Sequence, residues 1–232
     1  MKILAIETST EFCSVALWQD GELSSRSEHA GQKHSEILMA MLDGVLKEAG
    51  VKLAQLDGIA FGAGPGSFTG VRIACGVAQG LALGANLPVV GICTLQALAQ
   101  DVAMKGGMKK NKVIAALDAR MAEVYFAVYE KSDGIWKTVC EPCLCLPQDT
   151  PIVAGAGWSG AGSGFAAHGS LLRARYAGQL VEVDEKCVPQ ASAIARLAAP
   201  MFASGLGVDA AQAMPLYLRD KVALKTSERH VL

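Results

Sequence analysis

Histidines are the first residues whose type could support chemistry, because imidazole serves both as a metal ligand and as a general base near neutral pH. The chain holds four: His29, His34, His168 and His230. No two of them lie four residues apart on a predicted helix, so the zinc-protease pattern is absent. His34 could act as a ligand or base, but its place at the start of a predicted helix favours a structural role.

An acidic residue at the end of an apolar strand is the second candidate for chemistry. Asp118 follows an apolar run and precedes Arg120 and Glu123. A carboxylate at a strand end can be catalytic or bind metal, but an Asp–Arg pair can also fix a turn, and the sequence favours the pair. No Gly-x-Ser-x-Gly elbow of the hydrolase type surrounds the serines considered as nucleophiles, which are Ser9, Ser14 and Ser67.

Three cysteines form a Cys-x-x-Cys-x-Cys segment, Cys140, Cys143 and Cys145. Such a cluster could bind a metal or form a redox pair. A structural zinc site needs four ligands, however, and no second cluster accompanies this one. The sequence therefore favours free thiols near the end of a strand.

Two glycine-rich segments could bring backbone amides close to an anion at the start of a helix. They span residues 62–70 and 155–164. Neither has the Gly-Lys-Ser/Thr ending of a P-loop or the dinucleotide fingerprint. A tight turn between strand and helix is therefore the favoured interpretation of both, and a phosphate site is the alternative.

Composition narrows the class of protein. Hydrophobic residues make up 51% and charged residues 19% of 232 residues, which is typical of a folded chain with a large core. The net charge of −1 provides no general attraction to nucleic acid or anionic membrane. We expect no membrane span, because no run of about 18 apolar residues occurs. Seven scattered cysteines and the absence of a signal-like segment predict a cytoplasmic chain with reduced thiols.

The order of predicted elements indicates an α/β fold. Strands at 2–7, 12–18 and 22–29 surround an Asp20-Gly21 hairpin turn, and helix 35–50, strand 57–61, helix 71–84, strand 88–92 and helix 94–104 follow. A second series has strands at 113–118, 123–129, 135–140 and 152–154, a helix from about 158, strand 180–183 and helix 190–204. We predict two lobes with a duplicated βββαβαβα topology.

Two helices of the first series carry more apolar surface than one covered face requires. The apolar residues of helix 35–50 span an arc of about 200°, wider than the stripe of a one-sided surface helix. Helix 71–84 places Gly76, Gly80 and Gly84 on one strip, which another backbone could approach closely. The strip could pack inside the chain or against another chain. The two helices together favour an oligomer or a hetero-complex.

Several segments resemble a known family. The opening at 3–10 is similar to the first phosphate segment of the actin, sugar kinase and Hsp70 superfamily, whose members have two ribonuclease H-like lobes. The sequence Gly-Ala-Gly-Pro-Gly-Ser-Phe-Thr-Gly-Val-Arg-Ile at 62–73 resembles the signature of the TsaB (YeaZ) family, a branch of the glycoprotease-like (peptidase M22) group. Segments 118–125, 153–158 and 215–219 are also similar to that family.

This resemblance implies a non-catalytic subunit of the machinery that forms threonylcarbamoyladenosine on the tRNA adenosine next to the anticodon. Its partners would be the catalytic paralogue TsaD and the ATPase TsaE, with a homodimer in isolation and with contact to tRNA only through the complex. The family uses the first two helices of the first lobe for pairing. The implied partner-binding residues are Ile37, Leu38, Met41, Leu42, Val45, Arg72, Cys75, Gly76, Gln79, Gly80 and Leu83.

Departures from the catalytic relatives argue against chemistry in this chain. The segment 88–98 contains no histidine where the catalytic relative holds its metal, so we expect no metal site. Glu7 stands where ATP-hydrolysing members have an Asp, so we expect no tightly bound cofactor, although weak nucleotide binding stays open. Vestigial nucleotide-binding candidates are Glu7, Ser9, Gly64, Gly66, Asp118, Gly155 and Gly157.

The predicted lobes span 1–104 and 105–213, and the tail 214–232 is expected to pack on the first lobe. Two rival functions stay open at this point. One is a weak ATPase or small-molecule kinase of the same fold. The other is a homodimeric protease-like or binding protein, whose glycine strip would serve only self-association.

Overall fold

The computed structural model describes residues 1–106 and 110–219 and contains two five-stranded mixed sheets. The strands of the first sheet are β1 (Lys2–Glu7), β2 (Phe12–Gln19), β3 (Glu22–His29), β4 (Gly58–Gly64) and β5 (Val89–Cys93). Strand β1 pairs antiparallel with β2 and parallel with β4, giving the order β3-β2-β1-β4-β5. The predicted hairpin turn is confirmed, since Asp20 and Gly21 both have positive φ.

The strands of the second sheet are β6 (Lys112–Asp118), β7 (Val124–Ser132), β8 (Ile135–Cys145), β9 (Trp158–Ala161) and β10 (Leu180–Asp184). Their order, β10-β9-β6-β7-β8, repeats the arrangement of the first sheet. The pair β6–β9 is parallel and the pair β6–β7 antiparallel, as in the corresponding strands of the first sheet. The predicted two-lobed duplication is therefore confirmed.

The two copies differ in their helices. The helices are α1 (His34–Glu48), α2 (Phe68–Ala85), α3 (Thr94–Gly106), α4 (Ser163–Arg175) and α5 (Ala191–Ala203). Between β8 and β9 the second copy has only a short 3₁₀ turn, Pro147–Asp149, at the place where the first copy has α1. The full βββαβαβα series is thus present in the first lobe and shortened in the second.

The helices lie in layers around the sheets. Apolar side chains of α1 and α2 share one core cluster with the outer face of the first sheet. Helix α5 covers the inner face of that sheet, and α3 covers the inner face of the second sheet. Helices α3 and α5 contact each other between the two lobes. Residue 104, the predicted end of the first lobe, lies in the last turn of α3, between the strands of the two sheets. Helix α5, which was predicted in the second lobe, packs mainly on the sheet of the first lobe.

The order of elements around β9 differs from the prediction. Residues 152–154 form no strand, and the segment at 158–161, expected to begin a helix, is the strand β9. The small residues of this segment suit a strand that is covered closely, because a Cβ on Gly160 would meet the Phe165 ring at 2.7 Å. Helix α4 begins only after Gly162, whose φ of 105° ends the strand.

Helix α2 is long and apolar enough to cross a membrane by length and composition, and it alone among the helices of residues 1–106 and 110–219 meets that test. One of its faces packs in the core of the first lobe, on β4. The core helix of a globular protein passes the same test, so this finding is weak evidence for a span.

Candidate functional site

The outer face of α2 is open. Ser67 begins the helix by accepting a hydrogen bond from the Gly70 amide through its hydroxyl, at 3.3 Å, and Asn86 ends it in a left-handed conformation. Gly76, Gly80 and Gly84 lie on the exposed side, where an added Cβ would meet no atom of the described residues within 4 Å. No described residue therefore packs on this strip, which argues against the alternative that it packs inside the chain.

Residues beside the strip make a surface of mixed character. Leu83 is 77% exposed, and Arg72 is exposed one turn before Gly76. Gln79 is half-buried and donates a hydrogen bond from its amide to the Ala213 carbonyl, at 3.0 Å. We use the term α2 face for the exposed residues Arg72, Gly76, Gly80, Leu83 and Gly84.

The structure corrects part of the predicted partner surface. Cys75 is buried beneath α2 and its Sγ lies 3.5 Å from the Ala213 carbonyl oxygen, so it does not reach the surface. Four predicted contact residues of α1 are also buried in the core of the first lobe: Leu38, Met41, Leu42 and Val45. The wide apolar arc of α1 is filled mainly by the chain's own sheet. Ile37 is half-buried and Met39 is 51% exposed.

A cleft of about 800 Å³ lies between the two lobes. On the first-lobe side, the lining begins at Ser9, and Glu7, which ends β1, is 1% exposed and lies behind it. Its Oε1 accepts a hydrogen bond from the Ser9 amide, whereas Oε2 has no hydrogen-bond partner among the described residues. Burial raises the pKa of Glu7 to about 7, against the opposing effect of hydrogen bonds from Ser9 and Thr8. A Cβ at Gly62 would collide with this carboxylate.

The loop after β4 closes tightly onto the segment that follows β1. The Ser67 amide donates to the Ser9 carbonyl at 2.7 Å, and a Cβ at Gly66 would approach that oxygen to 2.7 Å. Gly64 has a φ of 108° and a Cβ there would lie 2.9 Å from the Leu216 carbonyl. These glycines therefore serve close backbone packing, which is the favoured interpretation from the sequence.

On the second-lobe side, Asp118 ends β6 at the cleft. Its Oδ1 accepts a hydrogen bond from the Arg120 amide at 3.0 Å, and its Oδ2 lies 3.1 Å from the Arg120 guanidinium. The Asp118 amide donates to the Ser163 hydroxyl at 3.1 Å, and His168 Nε2 lies 3.6 Å from Oδ1. The predicted Asp–Arg pair is confirmed, and the sequence missed Ser163.

The second glycine segment does not bring its first glycines to this cleft. Gly155 and Gly157, with φ of 73° and 87°, precede β9, whereas Asp118 follows β6. Because β6 and β9 are parallel, the start of β9 and the end of β6 lie at opposite edges of the sheet. The residues of this segment near Asp118 are Gly162 and Ser163, which follow β9. The prediction that Gly155 and Gly157 join a nucleotide site is therefore corrected.

Two other candidates have structural roles. His34 is buried at the first residue of α1, and its Nε2 lies 2.8 Å from the Thr10 carbonyl oxygen, which ties the helix start to the first hairpin. Cys140, Cys143 and Cys145 are free, half-buried thiols on β8. Burial raises the pKa of Cys140 to about 11, which leaves little thiolate at neutral pH.

Within residues 1–106 and 110–219, no three histidine, cysteine or acidic side chains are grouped in a way that could hold a metal ion. The two candidate carboxylates are separately engaged, Glu7 by Ser9 and Asp118 by Arg120. Among the described residues, the candidate sites are therefore the open α2 face and the cleft, where Asp118 is paired with Arg120 and the buried Ser9 hydroxyl has no hydrogen-bond partner.

Comparison with known proteins finds a matching family and close sequence relatives. The family model of TsaD, tRNA N6-adenosine threonylcarbamoyltransferase, matches residues 26–226. The tRNA threonylcarbamoyladenosine biosynthesis protein TsaB of Escherichia coli K12 is 40% identical over 97% of both chains. The TsaB protein of Haemophilus influenzae Rd is 36% identical over 97% of this chain and 96% of its own.

The chain belongs to the TsaB family. A solved structure described as YeaZ from Pseudomonas aeruginosa matches with a TM-score of 0.85 at 40% identity, over 94% of this chain and 99% of the other. The match therefore extends to both lobes and to most of the length of these TsaB and YeaZ relatives. The names of the TsaB relatives assign those proteins to tRNA threonylcarbamoyladenosine biosynthesis.

Proposed function

We propose that this chain is a non-catalytic subunit required for forming threonylcarbamoyladenosine on the tRNA adenosine next to the anticodon. It would scaffold and activate the catalytic paralogue TsaD and help to recruit the ATPase TsaE, in the cytoplasm. Contact with tRNA would run through the complex, and the isolated chain would form a homodimer. Membership in the TsaB family supports the pathway, and the open α2 face supports the scaffold role.

The observation that carries the scaffold role is the energetic cost of the glycine strip. A glycine inside a helix costs about 1 kcal/mol relative to alanine, and three of them lie on α2. Among the described residues, none requires a glycine at these three positions for close packing, because a Cβ on Gly76, Gly80 or Gly84 would meet open space. Such a strip allows another helix backbone to approach closely, and apolar Leu83 beside it provides area to bury.

The cleft favours a subunit over a nucleotide-hydrolysing enzyme. A magnesium–nucleotide site needs ionised carboxylate oxygens that are free to bind the metal shell. Glu7 is buried with a pKa raised by desolvation to about 7, and Asp118 is paired with Arg120. ATP would then be used by the complex as a whole, with weak nucleotide binding to this chain as the most that the cleft supports.

Omission from a reconstituted reaction tests the proposal. The threonylcarbamoyl-AMP synthase, TsaD, TsaE and substrate tRNA are combined with ATP, with and without this chain, and the modified nucleoside is quantified by mass spectrometry. We expect product only when the chain is present. Equal product in its absence would overturn the proposed requirement.

The rival enzyme hypotheses have their own measurement. The isolated chain is assayed for ATP hydrolysis and for cleavage of unfolded protein, beside Glu7→Gln and Asp118→Asn variants. We expect no activity above a buffer control in any sample. Hydrolysis that the two substitutions abolish would replace the scaffold proposal with an ATPase or kinase.

A further inference from the structure

The last described segment crosses from one lobe to the other. After the 3₁₀ turn Ala210–Gln212, residues 213–219 run without helix or strand along the cleft, and Leu216, Tyr217, Leu218 and Arg219 line it. The first anchor is on the first lobe, where the Leu216 amide donates to the Ala63 carbonyl at 2.7 Å. We call residues 213–219 the strap.

The second anchor joins the strap to the α2 face. The guanidinium of Arg72 lies 3.2 Å from the centre of the Phe68 ring and 4.7 Å from the centre of the Tyr217 ring. Its Nη1 also donates to the Phe68 carbonyl at 2.8 Å. A cation held between two aromatic rings is a favourable and geometrically defined contact. Arg72 therefore belongs both to the exposed α2 face and to the packing of the strap.

The third anchor is on the second lobe. Arg219 Nη2 lies 2.7 Å from Glu123 Oε2 and donates to the Ala119 carbonyl at 3.0 Å, and its Nη1 lies 3.4 Å from Met121 Sδ. The Arg219 and Glu123 side chains are only 18% and 26% exposed. Partial burial reduces solvent screening, so this pair should contribute more than an exposed one.

The turn that Arg219 holds has an unusual backbone. Arg120, Met121 and Ala122 have φ of 63°, 53° and 60°, three consecutive left-handed residues without a glycine. Each such residue is strained by about 1 kcal/mol or more, so the turn needs compensating contacts. Besides Asp118, which pairs with Arg120, the strap supplies such contacts through Arg219.

We propose that the strap is a coupling device that ties the α2 face to the strained turn 119–123 across the cleft. In its docked state, Arg72 orders Tyr217, and the strap places Arg219 on the turn. A change at Arg72, such as its engagement by a partner, weakens the Tyr217 contact and loosens the turn on the other lobe. This inference goes beyond the proposed function, because it concerns the isolated chain.

Amide hydrogen exchange in the isolated chain tests this coupling. The amides of Ala119, Arg120 and Glu123 are hydrogen-bonded within the turn and its Asp118 cap, so their exchange reports its opening. Because Arg219→Gln removes hydrogen bonds that a charged group donates, we expect it to speed amide exchange in peptide 118–125 by about tenfold. Tyr217→Ala and Arg72→Ala are expected to speed exchange in the same peptide by a smaller factor.

The control is Arg173→Gln, which removes an Arg–Glu pair of the same 2.7 Å separation on α4. We expect it to leave peptide 118–125 unchanged, and the edge strand 22–29 should stay unchanged in every variant. Unchanged exchange at 118–125 in folded Arg219→Gln would overturn the strap as a clamp. Effects of Tyr217→Ala and Arg72→Ala confined to residues 66–73 would overturn the coupling. If Arg219→Gln does not fold, Glu123→Gln tests the same ion pair from the other lobe.

Discussion

Helices α1 and α2 pack on the same face of the first sheet, but α1 buries large side chains there and α2 buries small ones. Helix α1 turns its large side chains inward, so that Leu38, Met41 and Leu42 fill the core. Helix α2 turns Ala74 and Ala78 inward and leaves glycines and Leu83 outside. Helix α2 thus packs on the sheet through small side chains and has glycines on its outer face, which no described residue covers.

This difference shows that the width of an apolar arc does not by itself identify a docking surface. The chain's own sheet can cover such a wide arc, as it does on α1. A strip of glycines that lies outside, at a cost in helix stability, has no explanation within the described fold and indicates another chain. The predictions below test whether the first sheet covers the apolar side chains of α1 and whether the outer face of α2 is open.

The largest effect is expected in the core under α1. Leu42→Ala removes a fully buried side chain and leaves a cavity, so we expect the free energy of unfolding to fall by about 3 to 4 kcal/mol. Urea unfolding followed by circular dichroism measures it. A loss below about 1 kcal/mol would contradict the placement of α1 as the filled helix.

The opposite face of the same sheet carries the second prediction. Burial raises the pKa of Glu7 from 4.5 in the unfolded chain to about 7 in the fold. The free energy of unfolding is therefore highest, as far as Glu7 is concerned, below pH 4.5, and it falls as pH rises to about 7. This shift corresponds to about 3 kcal/mol. We expect Glu7→Gln to be more stable than wild type by that order at pH 8 and nearly equal at pH 4.5.

Unfolding curves of both chains at several pH values between 4.5 and 8 measure this difference. Because every other titrating group is shared, the difference between the two chains isolates Glu7. A constant difference across this pH range would contradict the assignment of a buried, largely neutral carboxyl at this position.

Substitutions at different glycines of α2 should change the free energy of unfolding in opposite directions. Gly76→Ala with Gly80→Ala should raise the free energy of unfolding by about 2 kcal/mol in total, because both positions are helical and open. Gly70→Ala on the same helix should lower it, because a Cβ there would collide with the Thr8 carbonyl. Thermal unfolding of the three chains measures both signs. Destabilisation by the first pair would show that the strip is packed after all.

The smallest effect on stability is expected at Leu83, which is 77% exposed. Leu83→Ala should change the free energy of unfolding by less than about 0.5 kcal/mol. Its affinity for TsaD should nevertheless fall by about tenfold, since truncating an apolar anchor in an interface costs about 1 to 2 kcal/mol. Calorimetric titration beside an unfolding curve measures the two values on the same sample. An unchanged affinity would place Leu83 outside the docking surface.

Much of this architecture follows from local sequence patterns. The Asp20-Gly21 turn, the strand before Asp118 and the Asp118–Arg120 pair were all predicted, because each depends on residues close together in the chain. Strand β8 extends to Cys145, beyond the predicted 140, since its cysteines and Pro142 carry no clear alternation of apolar and polar residues.

Features that depend on distant residues could not be predicted in the same way. The burial of Leu38 and Val45 depends on how the first sheet covers α1, and the approach of Ser163 to Asp118 depends on the parallel pairing of β6 and β9. The strap contacts residues about 100 positions earlier in the chain, such as Ala119. The tail from 220 to 232 lies outside the described residues, and its packing stays a prediction.

One measurement tests the central claim that the α2 face is the docking surface. Gly76→Leu with Gly80→Leu fills the strip, while Ala167→Leu with Ser170→Leu places two leucines at exposed positions on α4. Affinity for TsaD is measured by calorimetric titration for both variants and wild type, each with its own unfolding curve. We predict an affinity loss of at least about 100-fold for the α2 variant without loss of stability, and a change below about threefold for the α4 variant. Wild-type affinity in the α2 variant would contradict the account.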